Sequence, residues 1–289
     1  QAVGGAEYDI LFGKVNPSAK LPETFPKQLE DNPSYLAGFG EGDHVEYREG
    51  IFVGYRYYDK KKMDVLFPFG YGLSYTTFAY SNLRLDKKTM KDTEELTVSV
   101  DVTNTGDRTG KEVVQLYVAD KDSTMIRPVK ELRDFAKIEL APGETKTVTF
   151  TLGKRAFAYY DVQIHDWQVE TGEFEILIGA SSRDIALRDT VTVESTVKIP
   201  FHYTTDTTMG DIMSRPEAWK LVQSVLSKGM FGQGSEVNEG GDAAKEAISD
   251  EMNAAMLQYM PLRGPVSFGG GVSMADVQKL VDRLNAMEK

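Results

Sequence analysis

Cysteine is absent from all 289 residues, which excludes disulfides and thiolate metal sites outright. Histidine is scarce: His44, His165 and His202 lie in different regions with no metal-ligand spacing, so no metal is expected. Positive charge is in deficit, 33 Lys and Arg against 44 Asp and Glu, for a formal net charge of -11. Nucleic acid and anionic membrane surfaces repel such a chain, whereas neutral sugars suit it. No apolar run approaches the ~18 residues of a membrane span. Gly269-Gly270-Gly271 follows no strand and lacks the phosphate-loop pattern, so no cofactor is expected either. The chain opens on Gln1-Ala2-Val3-Gly4-Gly5 without an initiator Met, and its biological start is expected elsewhere. Cysteine-free composition suits a reducing compartment, and cytoplasmic residence is expected over secretion.

What is present falls into three regions, expected at residues 1–77, 78–202 and 203–289. The first is loop-rich, with Pro17, Pro22, Pro26 and Pro33. A helix is predicted from Val3 to Phe12, stopped by Gly13 in the left-handed conformation, and a strand over Ile51–Tyr57. So few elements cannot close a core, and the region reads as the end of a larger domain. In the second region Leu96, Val98, Val100 and Val102 alternate with polar residues, a period of two. The alternation recurs at Val114/Leu116/Val118, Val148/Phe150/Leu152 and Phe174/Ile176/Ile178, with turn signals at Asn104–Asp107, Pro142-Gly143 and Thr171-Gly172. Strands spaced in this way predict two packed sheets.

The third region is helical. Pro216 suits a first-turn position, with Trp219, Leu221, Val222, Val225 and Leu226 on one face. Ser273 and Asp276 resemble a capping pair before an apolar stripe of Met274, Val277, Leu280, Val281, Leu284 and Met287. That stripe is expected to pack on the sandwich or on a body outside the chain. Gly229 to Gly241 reads as a flexible connection.

Five segments carry a resemblance. They are Gly13–Pro26 (GKVNPSAKLPETFP), Phe67–Phe78 (FPFGYGLSYTTF), Val102–Tyr117 with its Asn104-Thr105-Gly106, Arg127–Leu132 (RPVKEL) with Phe135, and Gly179–Ile185 (GASSRDI). In this order they resemble the C-terminal portion of glycoside hydrolase family 3 β-glucosidases. The resemblance implies a mixed fold: the closing piece of an α/β sandwich, an all-β fibronectin type III-like sandwich and a helical tail. Members of the family hydrolyse β-glycosidic bonds with retention, using a nucleophilic Asp from a TIM-like barrel and a general acid/base Glu. Both lie upstream of the position matching Gln1. Such chemistry needs two carboxyl groups ~5 Å apart, so no catalytic residue is assigned to this chain.

The richest polar stretch is Glu41–Gly50 (EGDHVEYREG), running on to Asp59. The resemblance sets it on the side facing the barrel, and it supplies aromatic faces, carboxylates and Arg, the groups that recognise sugars. Asp43, His44, Tyr47, Arg48, Glu49, Arg56 and Tyr57 are therefore the candidate substrate contacts. The bland alternative is a solvated loop whose Arg and Glu pair with each other, and as general acids Glu46 and Glu49 are read that way. Glu173 and Glu175 are expected on an outer strand face, and Trp167 with Tyr159-Tyr160 in core or interdomain packing.

The expected partners are β-glucosides or oligosaccharides, and the barrel with the rest of the α/β domain, in one precursor or a second chain. A homodimer is compatible. Two further readings stand beside this one: a stand-alone carbohydrate-binding or scaffolding module, and a subunit completing a site on another chain.

Overall fold

The structure is a computed structural model that describes residues 3–37, 43–162, 164–229, 250–267 and 272–288. Contacts divide it into two units, residues 1–197 and 198–289.

The alternating runs form strands of the first unit. In chain order they are β1 (Phe78–Leu85), β2 (Thr89–Lys91), β3 (Leu96–Asn104), β4 (Gly110–Asp120), β5 (Glu131–Leu140), β6 (Thr145–Leu152), β7 (Tyr159–Asp161), β8 (Asp166–Gln168), β9 (Gly172–Gly179) and β10 (Ile185–Glu194). One sheet has the order β1-β3-β6, the other β2-β10-β9-β4-β5, and β7-β8 is a separate hairpin. All pairings are antiparallel except β10 with β2. Val98, Val100 and Val102 from the first sheet share one buried core with Val114, Leu116, Val118, Phe174, Ile176 and Ile178 from the second. Each such side chain removed from water contributes about 1.5–3 kcal/mol, so this face holds the sandwich together.

Strand β4 breaks the alternation: Val114 through Ala119 are all buried. A strand reads this way when both its faces are covered. The inner face belongs to the sandwich core. On the outer face Tyr117, Ala119 and Leu177 join Tyr55 in a second, small core, with Phe69, Leu132 and Ile185 packed on it. The loop-rich segment thus supplies the lid of the second sheet, which is why residues 1–77 and the sandwich fall into one unit.

Within that segment the helix expected at the start is present as α1 (Val3–Leu11), and Gly13 follows it at φ 69°. The strand expected over Ile51–Tyr57 is absent. Turns precede Gly54, and Tyr55–Lys60 is a short helix, α2. Gly54 has φ 59° and ψ -136°, a conformation that side-chain-bearing residues avoid, and it turns the chain out of extended geometry. Beyond it Tyr55 and Tyr58, three apart on one helical face, are both buried. Burial of this pair overrides the strand preference of β-branched and aromatic residues.

Residues 198–289 form a helical unit with α3 (Met209–Met213), α4 (Pro216–Gly229), α5 (Asp250–Tyr259), α6 (Gly264–Ser267) and α7 (Met274–Met287). Thr208 and Ser273 each close a capping box with an Asp three residues on, the shorter acid standing where Glu is usual. The expectation for the last stripe is corrected: Val277, Leu280, Val281 and Leu284 pack inside this unit, with Tyr203, Met209, Ile212, Ala218, Val222 and Leu262. A closed core of its own makes an external body unnecessary for them, and Met274 and Met287 are left exposed. The glycine-rich stretch after Gly229 and Gly269–Gly271 lie outside the described residues.

Candidate functional site

The five sequence segments meet along one seam between residues 13–77 and the second sheet. Asn16 accepts from the Tyr75 amide (2.8 Å) and donates to the Thr109 carbonyl (3.0 Å). Lys20 pairs with Glu112 at 2.9 Å and donates to the Ala180 carbonyl at 3.2 Å. Gln115, on the covered face of β4, donates to the Gly70 (3.1 Å) and Ala180 (2.7 Å) carbonyls and accepts from the Tyr117 hydroxyl (2.6 Å). Gly70 itself sits at φ 80°, where an added Cβ would collide with the Gln115 side chain. Asn104 is fully buried, yet it accepts from Thr76 and Gly106 and donates to the Arg108 and Leu140 carbonyls. These residues satisfy buried polar groups, and their work is joining.

The Arg127–Leu132 and Gly179–Ile185 segments reach α2. Asp59 is the shared acceptor, 2.6 Å from Lys130 and 3.1 Å from Arg183, with its side chain only 6% exposed. Arg56 pairs with Glu131 at 3.3 Å, and Glu131 also takes Arg133 at 2.6 Å. The Leu132 amide donates to the Tyr55 hydroxyl (2.7 Å), while Lys60 donates to the Arg127 carbonyl (3.0 Å). The Tyr55 ring stacks on Phe69 with centroids 4.8 Å apart. Burial pushes the Tyr55 hydroxyl above its usual pKa, and it lowers that of the Arg133 guanidinium. Asp59, Lys130, Glu131 and Arg133 are thus shielded from water and depend on their partners, whereas Arg56 and Arg183 stay partly exposed.

The candidate substrate contacts lie on and beside α2. Residues 43–54 form an exposed loop with turn bonds from Gly50 to Tyr47 and from Phe52 to Glu49. Glu41 and Gly42 lie outside the described residues. Arg48, Glu49 and Tyr57 come together around an open depression of about 310 Å³, completed by Pro33, Phe52, Lys60 and Lys61. Asp43, His44 and Tyr47 are exposed outside it, Tyr47 at 82%. Arg56 turns away to Glu131, and Arg48 pairs with Glu46 at 2.6 Å, the loop-internal pairing that the bland alternative describes. Phe52 was missed at the sequence level because it lay inside the strand expected over Ile51–Tyr57, and Lys60 and Lys61 because they lie past the polar stretch and only the helix brings them beside Tyr57. The depression offers two aromatic rings, three cations and a carboxylate, a set that can stack on a sugar's C–H face and hydrogen-bond its hydroxyls. Among the described residues no group of three or more His, Asp or Glu is placed to hold a metal ion.

Residues 1–75 match the glycosyl hydrolase family 3 C-terminal domain, and residues 112–182 the fibronectin type III-like domain. The chain belongs to glycoside hydrolase family 3. Over its whole length it is 52% identical to thermostable β-glucosidase B of Acetivibrio thermocellus, of which it spans 37%. It is 44% identical over 233 residues to the exo-α-(1→6)-L-arabinopyranosidase of Bifidobacterium breve, spanning 81% of this chain and 30% of that protein. A crystal structure of a family 3 β-glucosidase from Bifidobacterium adolescentis is similar over 77% of this chain and 32% of its own, with TM-score 0.68 and 43% identity. The chain therefore spans about a third of the length of these family 3 relatives. Its five segments are the C-terminal portion of that family, and in this fold they build a seam.

Proposed function

We propose that this chain is the C-terminal part of a retaining β-glucosidase acting on terminal β-D-glucosyl residues. It braces the catalytic body and forms, with residues 43–57, the aglycone-side rim of the active site. The observation that carries this reading is 52% identity along all of the chain to a curated β-glucosidase. The surface supports it: Leu11, Phe12, Leu36 and Val53 are 77%, 71%, 90% and 61% exposed, all within the segment that closes no core of its own. Apolar residues gathered so on one segment suit burial against the remainder of the protein. The nucleophilic Asp and the acid/base Glu are supplied by that remainder. The rim residues orient the leaving group and do no bond-breaking, so they act on binding rather than on the chemical step.

The binding-module alternative needs an open aromatic platform. Its candidate there, Trp167, carries the Arg155 guanidinium 3.4 Å above its ring, is edged by Tyr160 and packs on the sandwich core, which argues against an open platform at that ring.

Two measurements test the proposal. The purified chain, given an aryl β-glucoside, shows no turnover, whereas the full-length protein hydrolyses it and an aryl α-L-arabinopyranoside serves as the comparison substrate. Tyr47→Ala and Arg48→Ala in the full-length protein shift KM according to the aglycone. Hydrolysis by the isolated chain, lost on replacing one of its own carboxylates, would overturn the reading.

A further inference from the structure

Helix α2 presents two sets of side chains from six residues. Tyr55, Arg56 and Asp59 engage the sandwich, Tyr57 lines the depression with Arg48 and Glu49, and Lys60 does both, since it also donates to the Arg127 carbonyl; Lys61, just past the helix, completes the lining. The loop that leads into it is exposed and carries turn bonds and the Arg48–Glu46 pair. Its place is therefore tied to α2, and Asp59 joins α2 to two parts of the domain at once, its two oxygens divided between Lys130 beside β5 and Arg183 between β9 and β10. Arg183 also donates to the Met63 carbonyl (2.7 Å), which holds the chain three residues past the end of the helix. We propose that Asp59, Lys130 and Arg183 form a latch through which the fibronectin type III-like domain positions the rim, so that these residues set leaving-group recognition without touching substrate. The role assigned to the rim rests on the β-glucosidase reading above; the latch itself rests on geometry.

Charge is the active ingredient. Asp59 and Lys130 have side chains 6% and 11% exposed, and removing the carboxylate leaves a buried Lys130 without its partner and frees the more exposed Arg183. Asp59→Asn keeps the shape and removes the charge. Arg183→Gln, at a side chain 32% exposed, is the milder variant should the first fail to fold.

The test has two arms. On the chain itself, hydrogen exchange compares the wild type with Asp59→Asn and Arg183→Gln. The amides of Phe52, Tyr57, Lys61 and Lys62 are expected to exchange roughly tenfold faster, with those of β3 and β6 unchanged. Equal exchange over residues 50–62 in both variants overturns the latch. In the full-length protein, KM for aryl β-glucosides is expected to rise about fivefold with kcat held within about twofold, the signature of lost binding rather than lost chemistry, and Lys130→Arg retains most of the wild-type KM. A fall in kcat at constant KM also overturns the positioning role. If the wild-type full-length protein hydrolyses no β-glucoside, the functional reading fails while the exchange arm still decides the latch.

Discussion

Gln115 shows how a single side chain ties this molecule together. It interrupts an apolar strand, and its amide and carbonyl are consumed by Gly70, Ala180 and Tyr117. Gln115→Leu keeps the volume and strands the Gly70 carbonyl and the Tyr117 hydroxyl, while the Ala180 carbonyl keeps Lys20 as a donor. Unsatisfied buried groups cost about 1–3 kcal/mol each, so the urea midpoint should fall by an amount of that order, followed by Trp167 fluorescence in a Trp219→Phe background. Gly70→Ala should lower the same midpoint, because it adds a Cβ at positive φ against the Gln115 side chain. The sequence displayed Gln115 and Gly70 inside two segments of the family pattern. It did not show that they touch, since 45 residues separate them.

At the scale of elements, the first sheet carries a charge device on its outer face. Asp101 on β3 accepts from Arg84 and Asn82 on β1 and from Thr147 on β6, so one carboxylate spans three strands. Hydrogen bonding, from Arg84 first, then Thr147 and Asn82, holds its pKa well below the usual carboxylate range. A folded-state pKa below the unfolded one means that the unfolded chain binds the extra proton. The contribution is therefore present above the ordinary aspartate value of ~3.9 and is lost as pH falls through the lower, folded one. Asp101→Asn should lower Tm at pH 7, and the two Tm curves should approach each other below that value. Thermal scans across pH check this; parallel curves down to the acid limit sink it.

The strands of the sandwich were legible because one face is buried and the other wet, so alternation leaves its mark at once. The covered face of β4 was not read from the sequence, because the alternation of Val114, Leu116 and Val118 drew attention to the inner face and Gln115 interrupts the apolar run from Val113 to Ala119. Helix α2 was not legible. Its six residues are aromatic-rich, and their geometry depends on Gly54 and on a partner sheet more than 60 residues away.

At the scale of the whole molecule the two tryptophans divide the labour of observation, Trp167 in the first unit and Trp219 in the second. Leu284→Ala opens a cavity in the helical core and should cost about 2–5 kcal/mol, read by Trp219 in a Trp167→Phe background. Ser273→Ala, which removes one half of a capping box, should cost less, about 0.5–2 kcal/mol.

Patterning and motif order alone determined the family, the sandwich, the helices among the described residues of the last region and the absence of disulfides. These follow from local periodicity and from residue identity, which are properties of the chain read in one dimension. The candidate rim was legible only as a composition, a polar and aromatic stretch with no geometry. Tertiary structure decided that Arg48, Glu49 and Tyr57 share a depression while Arg56 serves the seam, and that α2 is a helix at all. It also decided that the last apolar stripe closes its own core. Each of these depends on which distant surface meets a side chain, and burial against that surface outweighs the few tenths of a kcal/mol by which local propensity prefers one conformation.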